Sequence, residues 1–291
     1  MNILVVNKHS KLEWEEKTLG LTRDQLLSKY SSEKANLEAI VSSHEKQMSV
    51  RKTFASVFPS ASFVMLEDAN KQLLDMYDLV LVLGGDNSFT KVSHYVHNTP
   101  ILSINSDPDR SVGCLTRWVI KSEQDVYDLA EKLDFNEFSI EQWPRLEAMV
   151  NDKIITPATS EYFLGERMRK YMSRHVLVYR GQEIEQKCSG LVIATGAGST
   201  GWYKSASRGT PKWKPTDKLA RFLATELYTV DASDGSIRSA PLADGEELKI
   251  YSLNDSDGHI SIDSWEEHSF TRGMEAKIYL GKPLQILVPN A

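Results

Sequence analysis

One short segment of the sequence combines residues that could bind a phosphate with a residue that could act as a base. Gly84 and Gly85 are followed directly by Asp86, Asn87 and Ser88. Glycine lets a backbone approach a phosphate closely, and N–H groups at the start of a helix favour an anion. A carboxylate beside them could accept a proton from a hydroxyl group. The segment predicts a phosphate-binding loop with Asp86 as its base, and the competing interpretation is a turn in which Asp86 caps the next helix.

A second segment is rich in glycine and hydroxyl side chains. The apolar run 190–194 leads into the sequence Thr195-Gly196-Ala197-Gly198-Ser199-Thr200-Gly201-Trp202. Hydroxyl and N–H groups could bind the polar atoms of a nucleotide, and the indole of Trp202 offers an aromatic surface. The segment therefore predicts a nucleotide-binding loop.

Three other interpretations of this second segment compete. Its glycines have the Gly-x-Gly-x-x-Gly spacing of a Rossmann unit, but the run 208–215, which contains two prolines, interrupts the helix that such a unit needs. A hydrolase nucleophile at Ser199 is disfavoured because Ala197 stands where a Gly-x-Ser-x-Gly elbow has its first glycine. A plain glycine-rich turn is the last alternative, and it is disfavoured because so many permissive residues directly follow a buried strand.

The residues before Gly84 indicate the kind of sheet that positions the first segment. The continuous apolar run 79–83 is typical of a strand that is covered on both faces, as in a parallel sheet. Strand-like runs at 3–6, 62–66 and 100–105 alternate with stretches of helical periodicity. One such stretch covers 33–58, with Ser31 or Ser32 as a candidate N-cap. This alternation predicts a parallel, doubly wound α/β sheet.

The pattern changes near residue 140. Beyond it, short strand-like runs are separated by turn residues, at 146–150, 175–179, 191–194, 247–252, 259–262, 277–280 and 284–288. We therefore expect two domains: an α/β domain over residues 1–140 that carries the Asp86 segment, and a β-rich domain over residues 141–291 that carries the Thr195 segment.

Composition and charge exclude several classes of partner. The 291 residues include 34 basic and 40 acidic side chains, and the net charge of -6 comes without a long basic run. No electrostatic footprint for nucleic acid or for an anionic membrane is present. No apolar run reaches membrane-spanning length, and the first residues match neither a signal peptide nor a transit peptide. Cys114 and Cys188 lack metal-site spacing and indicate a reducing compartment, so the expected location is cytoplasmic.

Several segments together resemble the NAD kinase family, which is related to diacylglycerol and sphingosine kinases. That family carries Gly-Gly-Asp-Gly-Thr after a strand, then an Asn-Glu pair, then a Thr-Gly-Ser-Thr/Lys-Ala-Tyr/Trp segment. Here the run 84–88, the pair Ser160-Glu161 and the run 195–202 stand in the same order. Residues 105–113, Asn-Ser-Asp-Pro-Asp-Arg-Ser-Val-Gly, are similar to a segment of the divergent, mitochondrial-type branch of the family.

This resemblance implies an α/β domain followed by a β-rich domain, and transfer of the γ-phosphoryl group of ATP to the adenosine 2′-hydroxyl of NAD, giving NADP. Asp86 would be the base, and magnesium would accompany the ATP without a protein ligand. Asp107 and Asp109 are better interpreted as turn caps than as magnesium ligands. The resemblance also implies a homo-oligomer, with a dimer favoured. The residues that would bind the ATP phosphates are Gly84, Gly85, Asn87 and Ser88, and those that would bind NAD are Asn105, Ser160, Glu161, Thr195, Gly196, Gly198, Ser199, Thr200, Gly201 and Trp202.

Some positions depart from the family pattern. Asn87 stands in place of a glycine, Ser88 in place of a threonine, Ser160 in place of an asparagine, and Ser264 in place of the glycine that follows Asp263. Asparagine tolerates a positive φ, so Asn87 could keep the backbone of the loop, but its side chain would intrude on the phosphate. Ser160 would contact an adenine edge less well than an amide. Two alternatives follow: an impaired relative that binds a dinucleotide as a sensor, and a kinase for another nucleoside-type substrate.

The N-terminal helical region has no assigned place in this resemblance. It precedes the strand at 62–66 and includes the charged run 13–17, which is expected to be a solvent-exposed face.

Overall fold

The computed structural model describes residues 1–168, 170–209, 212–229 and 235–290. Residues between these ranges, among them Thr210 and Pro211 of the helix-interrupting run, lie outside the described residues. The chain forms two compact units, Met1–Glu141 together with the chain from Gln285, and Gln142–Leu284.

The first unit alternates strands with helices. Its strands, in chain order, begin with β1 (Ile3–Asn7), β2 (Ser62–Met65), β3 (Leu79–Gly84), β4 (Ile101–Asn105), β5 (Trp118–Val119) and β6 (Phe138–Trp143). Its helices are α1 (Lys11–Leu19), α2 (Arg23–Ser32), α3 (Leu37–Val57), α4 (Lys71–Leu74), α5 (Asp86–Ser93) and α6 (Gln124–Asp134). None of the helices in the described ranges is long and apolar enough to span a bilayer.

The second unit is built mainly of strands. They are β7 (Leu146–Val150), β8 (Lys153–Ile154), β9 (Glu161–Glu166), β10 (Ser173–Tyr179), β11 (Gln182–Cys188), β12 (Gly190–Ala194), β13 (Leu219–Thr225), β14 (Ser239–Ala243), β15 (Glu247–Ser252), β16 (Gly258–Ile262), β17 (Glu266–Ser269) and β18 (Glu275–Leu280). A 3₁₀ turn (Gly198–Thr200) and helix α7 (Trp202–Ser207) follow β12. The last strand of the chain is β19 (Leu284–Pro289).

The sheet of the first unit is mostly parallel and has the order β2-β1-β3-β4-β19-β6, with β5 also paired to β4. Asn7 lies opposite Leu83, and Gly84 lies opposite Asn105. The carboxyl ends of β1, β3 and β4 therefore meet at one edge, where open parallel sheets bind ligands. All six residues of β3 are buried, in agreement with its continuous apolar sequence.

The last strand differs from the sequence-based expectation. The run 284–288 is grouped with the β-rich domain on sequence, but β19 pairs in parallel with β4 through Ile286 and Ile101. Leu287 packs against the apolar core of the first unit. A short apolar strand has the same periodicity in either kind of sheet, so its pairing partner is not encoded in that pattern.

The second unit contains two antiparallel sheets, with the orders β11-β10-β15-β18-β7-β8 and β14-β13-β12-β9-β16-β17. One apolar core contains residues of both sheets, among them Leu177 and Ile250 of the first and Leu191 and Ile260 of the second. The predicted fold class, an α/β unit followed by a β-rich unit, is confirmed. Cys114 is exposed, Cys188 is buried, and both thiols are free.

Helix α3 starts later than the periodicity indicates. Its N-cap is Asn36, whose Oδ1 accepts the N–H of Ala39 at 3.0 Å. Ser31 and Ser32, the expected caps, belong to α2 instead. The apolar side chain of Phe54 then packs against the core of the first unit, so α3 covers a face of the sheet.

Candidate functional site

The Gly84–Gly85 segment forms a tight connection between a strand and a helix. Strand β3 ends at Gly84 and helix α5 begins at Asp86. A Cβ atom on Gly84 would lie 2.3 Å from Oγ of Ser88, and one on Gly85 would lie 2.6 Å from Oγ of Ser111. At Gly84 a Cβ would also lie 2.6 Å from the Cβ of Ser88, so close approach requires glycine there, whereas at Gly85 the side chain of Ser111 would have to rotate. Because Gly85 occupies the N-cap position, no side chain caps the first turn of α5.

Asn87 lies within the first turn of α5, so its backbone is helical. This corrects the idea that asparagine is present because the loop needs a positive φ. The carbonyl of Asn87 accepts the hydroxyl of Thr90 at 3.1 Å. Ser88, the other substituted position, is buried beneath Gly84.

The carboxylate of Asp86 is held by two backbone N–H groups. One oxygen accepts the N–H of Cys114 at 3.0 Å, and the other accepts the N–H of Leu115 at 2.8 Å. A carboxylate offers about four lone-pair positions, so further acceptor capacity remains for a substrate hydroxyl. Burial lowers the pKa of the Arg117 guanidinium, and the negative charges of Glu141 and then of Asp86 act to raise it. Asp86 is thus an oriented acceptor.

Asn105 shapes the loop that supplies those two N–H groups. Its Nδ2 donates to the carbonyl of Ser111 at 2.9 Å, and its Oδ1 accepts the N–H of Asp107 at 3.2 Å. Gly113 has a φ of +65°, and a Cβ there would lie 2.6 Å from Nδ2 of Asn105. Both amide atoms of Asn105 already bond within the loop, so a contact with NAD stays a prediction.

The acidic residues of this loop are bound to helix α3. Asp107 accepts the hydroxyl of Ser43 at 2.5 Å, and Asp109 accepts the ammonium of Lys46 at 2.9 Å. No group of three or more potential metal-ligating side chains occurs in the described ranges. Both carboxylates already accept hydrogen bonds from helix α3, so these residues do not fit a protein-held Mg²⁺ site.

Lys8 is a candidate residue that the sequence reasoning missed. It directly follows β1, and its Cδ lies 3.4 Å from the position that a Cβ on Gly84 would occupy. Burial lowers the pKa of its ammonium group, the charge of Asp107 acts to raise it, and Arg51 acts to lower it. Beside it, the buried Oδ1 of Asn7 has no hydrogen-bond partner in the described part of the chain. The sequence signal for Lys8 is its position directly after a predicted parallel strand. The end of that strand lies at the same edge of the sheet as Gly84.

In the second unit, Thr195 anchors the start of the predicted nucleotide-binding loop. Its N–H donates to the carbonyl of Ser160 at 2.9 Å, and its hydroxyl donates to the carbonyl of Thr159 at 2.5 Å. The same hydroxyl oxygen accepts the N–H of Gly198 at 3.3 Å. Thr195 therefore holds the loop against the segment that carries Ser160 and Glu161.

Two of the three glycines in the loop are required by close backbone contacts. A Cβ on Gly196 would lie 1.9 Å from the carbonyl oxygen of Lys214, and one on Gly198 would lie 2.2 Å from that of Ser160. For Gly201 the nearest such atom is 3.6 Å away.

These contacts predict unequal effects for three alanine substitutions. Gly196→Ala and Gly198→Ala should each destabilise the protein by about 3 kcal/mol, because backbone atoms must move to make room. Gly201→Ala is the matched control and should cost no more than about 1 kcal/mol, because Gly201 is the N-cap of α7, where alanine is less favourable than glycine. Thermal unfolding of the variants measures the difference, and equal losses at all three positions would contradict the close-contact explanation.

The structure argues against two of the competing interpretations of this loop. Strand β12 pairs antiparallel with both β9 and β13, so the segment is not part of a parallel β-α-β Rossmann unit. The hydroxyl of Ser199 donates to the carbonyl of Trp213 at 3.1 Å, a contact that holds the loop and differs from that of an activated nucleophile. The hydroxyl of Thr200 lies 3.5 Å from the carbonyl of Ala197.

Trp202 is part of an aromatic stack. Its ring lies 4.7 Å from that of Phe163 with an interplanar angle of 22°. Phe163 in turn covers Gly165 and Gly190, where a Cβ would lie 2.8 Å and 2.2 Å from its ring. Trp202 is therefore half-buried and fixed in orientation, and its role as a surface for a nucleotide stays a prediction.

Asp263 organises the backbone around Ser160 and Glu161. Its carboxylate accepts the N–H groups of Thr159 at 2.8 Å, Ser160 at 2.8 Å and Glu161 at 2.9 Å. Asp263 and Ser264 have φ values of +46° and +62°. Aspartate tolerates this region, whereas Ser264 occupies it at a steric cost that glycine would avoid.

The carboxyl group of Glu161 lies in an unusual electrostatic environment. Burial, and then the negative charge of Asp263, raise its pKa from 4.5 to about 8. Its Oε2 lies 3.1 Å from the position that a Cβ on Gly198 would occupy. The second unit thus brings together Ser160, Glu161, Thr195 and Gly198, with Asp263 as an additional member that supports them.

The fold of the chain is similar to the folds of two solved structures. One is an NAD kinase from Archaeoglobus fulgidus in complex with ATP. The structural match covers 98% of this chain and 93% of that chain, with a TM-score of 0.65 and 18% sequence identity. The other is a yeast NADH kinase complexed with NADH. This match covers 99% of this chain and 83% of that chain, with a TM-score of 0.68 and 13% sequence identity. The likeness to these two structures is one of fold.

The sequence of the chain is similar to the sequences of NAD kinases. The chain is 29% identical to an NAD kinase of Pseudomonas fluorescens over 251 residues, which are 81% of this chain and 77% of the relative. It is 30% identical to an NAD kinase of Corynebacterium diphtheriae over 157 residues, 51% of this chain and about half (47%) of that relative's length. No protein-family model matches the sequence. Over about four fifths of its length, the chain is thus similar in sequence to an NAD kinase.

Proposed function

We propose that this protein transfers the γ-phosphoryl group of ATP to the adenosine 2′-hydroxyl of NAD and so forms NADP. The observation that carries the proposal is the carboxylate of Asp86, which stands at the start of a helix behind a buried parallel strand and is oriented by two backbone N–H groups. The similarity to NAD kinases supports the choice of substrates.

In the first unit, the turn formed by Gly84, Gly85, Asn87 and Ser88 binds the ATP phosphates, while the N–H of Ser88 itself donates to the carbonyl of Gly85 at 3.0 Å. The ammonium of Lys8, which runs past Gly84, adds a positive charge beside them. A ribose hydroxyl is a weak nucleophile, so Asp86 accepts its proton or orients it while the phosphate charge is offset. Phosphoryl transfer needs little covalent chemistry from a protein, and positioning supplies most of the rate.

In the second unit, the residues around Glu161 bind NAD. With a pKa of about 8, the carboxyl group of Glu161 is mostly neutral at pH 7 and can donate a hydrogen bond to a ribose oxygen as well as accept one. Ser160 lies directly before Glu161. Asn105 belongs to the first unit, where its amide supports the loop that holds Asp86. The loop with Gly196, Gly198, Ser199, Thr200, Gly201 and Trp202 frames the dinucleotide, with Thr195 fixing its start.

The direct test is an assay for NADP. The purified protein is incubated with ATP, magnesium chloride and NAD, and the NADP formed is followed with an NADP-specific dehydrogenase. Formation of NADP that depends on both ATP and NAD supports the proposal. Absence of NADP at enzyme concentrations in the micromolar range contradicts it.

A second candidate function is a nucleotide-binding sensor with impaired catalysis, favoured by Asn87 and Ser160 at positions where the family has glycine and asparagine. NAD binding by calorimetry without any NADP formation would support this alternative, and phosphorylation of a different nucleoside would indicate another acceptor. A homodimer and a cytoplasmic location complete the proposal, and sedimentation of the protein in solution tests the first of these.

Asn87→Gly should lower the KM for ATP by about three-fold to ten-fold, a change of about 1 kcal/mol. The reason is that the amide side chain at the second position of α5 crowds the phosphates, while the helical backbone there does not require asparagine. The same substitution should cost up to about 1 kcal/mol of stability, since glycine is a poor helix former. Initial-rate kinetics at varied ATP give the KM, and an unchanged KM would show that Asn87 does not obstruct the phosphates.

A further inference from the structure

Arg51 of helix α3 connects three separate parts of the first unit. Its guanidinium donates to both carboxylate oxygens of Glu13, at 2.8 Å and 3.0 Å, and also to the backbone carbonyl of Lys8. The Arg51 and Glu13 side chains are only 21% and 22% exposed. This ion pair is therefore better shielded from water than a typical surface pair.

The connection continues into the start of helix α1. Glu13 is the third residue of α1, and its carboxylate accepts the N–H of Ser10 at 2.7 Å. The hydroxyl of Ser10 accepts the N–H of Glu13 in return, which completes a capping box. Lys8 lies between the end of β1 and this cap, so its backbone is held on both sides. The expectation that the run 13–17 is merely a solvent-exposed face is wrong for Glu13.

Two further hydrogen bonds join helix α3 to the loop that follows strand β4. Ser43 donates to Asp107 and Lys46 donates to Asp109, in the loop that leads to Cys114 and Leu115. The negative charge of Asp107 also acts to raise the pKa of Lys8, against the larger lowering by burial. Helix α3 thus contacts both the segment that carries Lys8 and the loop that carries Asp107.

We propose that Arg51 is a positioning residue for Lys8: one guanidinium holds Glu13 and the Lys8 carbonyl together, and this fixes the path of the Lys8 side chain past Gly84. The inference rests on the proposed function, in which Lys8 meets a phosphate group. It assigns a role to the N-terminal helical region, which carries Glu13 and Arg51 and presents the cation to the phosphate-binding loop.

The geometry requires arginine and not only a positive charge. A guanidinium presents its donors as a planar fork and can bond a carboxylate and a carbonyl at the same time, whereas a lysine ammonium is a single point charge on a flexible stem. Arg51→Lys keeps the charge that acts on Lys8 and can keep an ion pair with Glu13, but it loses the simultaneous bond to the Lys8 carbonyl. The substitution therefore separates position from charge.

The experiment measures the reactivity of the Lys8 amine directly. The full-length protein is labelled with trace acetic anhydride, with and without magnesium ATP, and modification of Lys8 is quantified by mass spectrometry. The variants are Arg51→Lys and Glu13→Gln, with Arg180→Lys as the matched control. Arg180 belongs to the second unit and also donates to both carboxylate oxygens of a glutamate, Glu246, at 2.7 Å and 3.2 Å. Thermal unfolding of each variant is recorded in parallel.

In the native protein, ATP should reduce the labelling of Lys8 at least ten-fold. Arg51→Lys should lose most of this protection and raise the KM for ATP by about ten-fold, which corresponds to about 1.4 kcal/mol. Glu13→Gln should shift both quantities in the same direction by a smaller factor, and Arg180→Lys should leave them unchanged. If Arg51→Lys does not fold, Glu13→Gln carries the test.

Other outcomes overturn the inference. Native-like protection of Lys8 in both Arg51→Lys and Glu13→Gln would show that Arg51 does not position it, and absence of protection in the native protein would show that Lys8 meets no phosphate. The NADP assay is independent of these readouts. Protection that depends on Arg51 in a protein that forms no NADP would support the inference while the proposed function fails.

Discussion

Asp86→Asn should lower the rate of NADP formation by about 10²–10⁴-fold, the usual contribution of a positioned general base. The amide nitrogen cannot accept a proton, and it would replace one of the two oxygens that receive the N–H groups of Cys114 and Leu115. We therefore also expect a loss of about 1–2 kcal/mol of stability from the mismatched donor. Binding of NAD, measured by calorimetry, should stay nearly unchanged.

The matched control for this substitution is Asp109→Asn. Asp109 lies in the neighbouring loop, its side chain is exposed, and its partner is Lys46. It should retain activity within a few-fold, because neither its carboxylate nor that partner contacts Asp86. Full activity of Asp86→Asn would remove Asp86 as the base, and a loss of NAD binding equal to the loss of rate would indicate disrupted structure instead.

The fold of the first unit was largely predictable from sequence because its pattern is local. Five continuous apolar residues before Gly84 indicate a strand buried on both faces, and the structure has β3 there. The place of β19 was not predictable in the same way. Its apolar run satisfies either sheet, and only the parallel pairing of Ile286 with Ile101 decides between them.

The residues of the candidate site were likewise predictable where they are adjacent in sequence, and not where long-range pairing brings them together. Gly84, Gly85 and Asp86 are adjacent in sequence, so their shared location is encoded in one motif. Lys8 reaches the same edge only because β1 and β3 are parallel neighbours, a long-range pairing that no short motif reports. The roles of Asn105 and Thr195 could not be deduced from residue type, since each binds backbone groups that the fold alone brings near.

The charge state of Glu161 is a further property that the sequence does not show. A glutamate ordinarily titrates near 4.5, but burial and the neighbouring Asp263 raise this pKa to about 8. A raised pKa means that the folded state binds the proton more tightly than the unfolded state. The contribution of Glu161 to stability is therefore full below pH 4.5 and is lost as the pH rises towards 8.

Glu161→Gln should consequently stabilise the protein at alkaline pH. Glutamine imitates the neutral carboxyl group and never pays the cost of ionisation in a buried site. At about 1.4 kcal/mol per pKa unit, the gain is on the order of 5 kcal/mol above pH 8 and falls to a small difference near pH 4.5. Thermal unfolding of both proteins at several pH values between 4.5 and 9 measures this dependence.

The exposed carboxylate of Glu185 provides the control for loss of one negative charge, and Glu185→Gln should give a difference of about 0.5 kcal/mol or less at every pH. A Glu161→Gln effect that is the same at pH 4.5 and pH 9 would contradict the neutral state. The same variant also tests the site. Because the carboxyl group is already neutral at pH 7, glutamine should keep the affinity for NAD within a few-fold. A large loss of affinity at pH 7 would instead mean that NAD binds the ionised carboxylate, whose charge the dinucleotide itself would then have to stabilise.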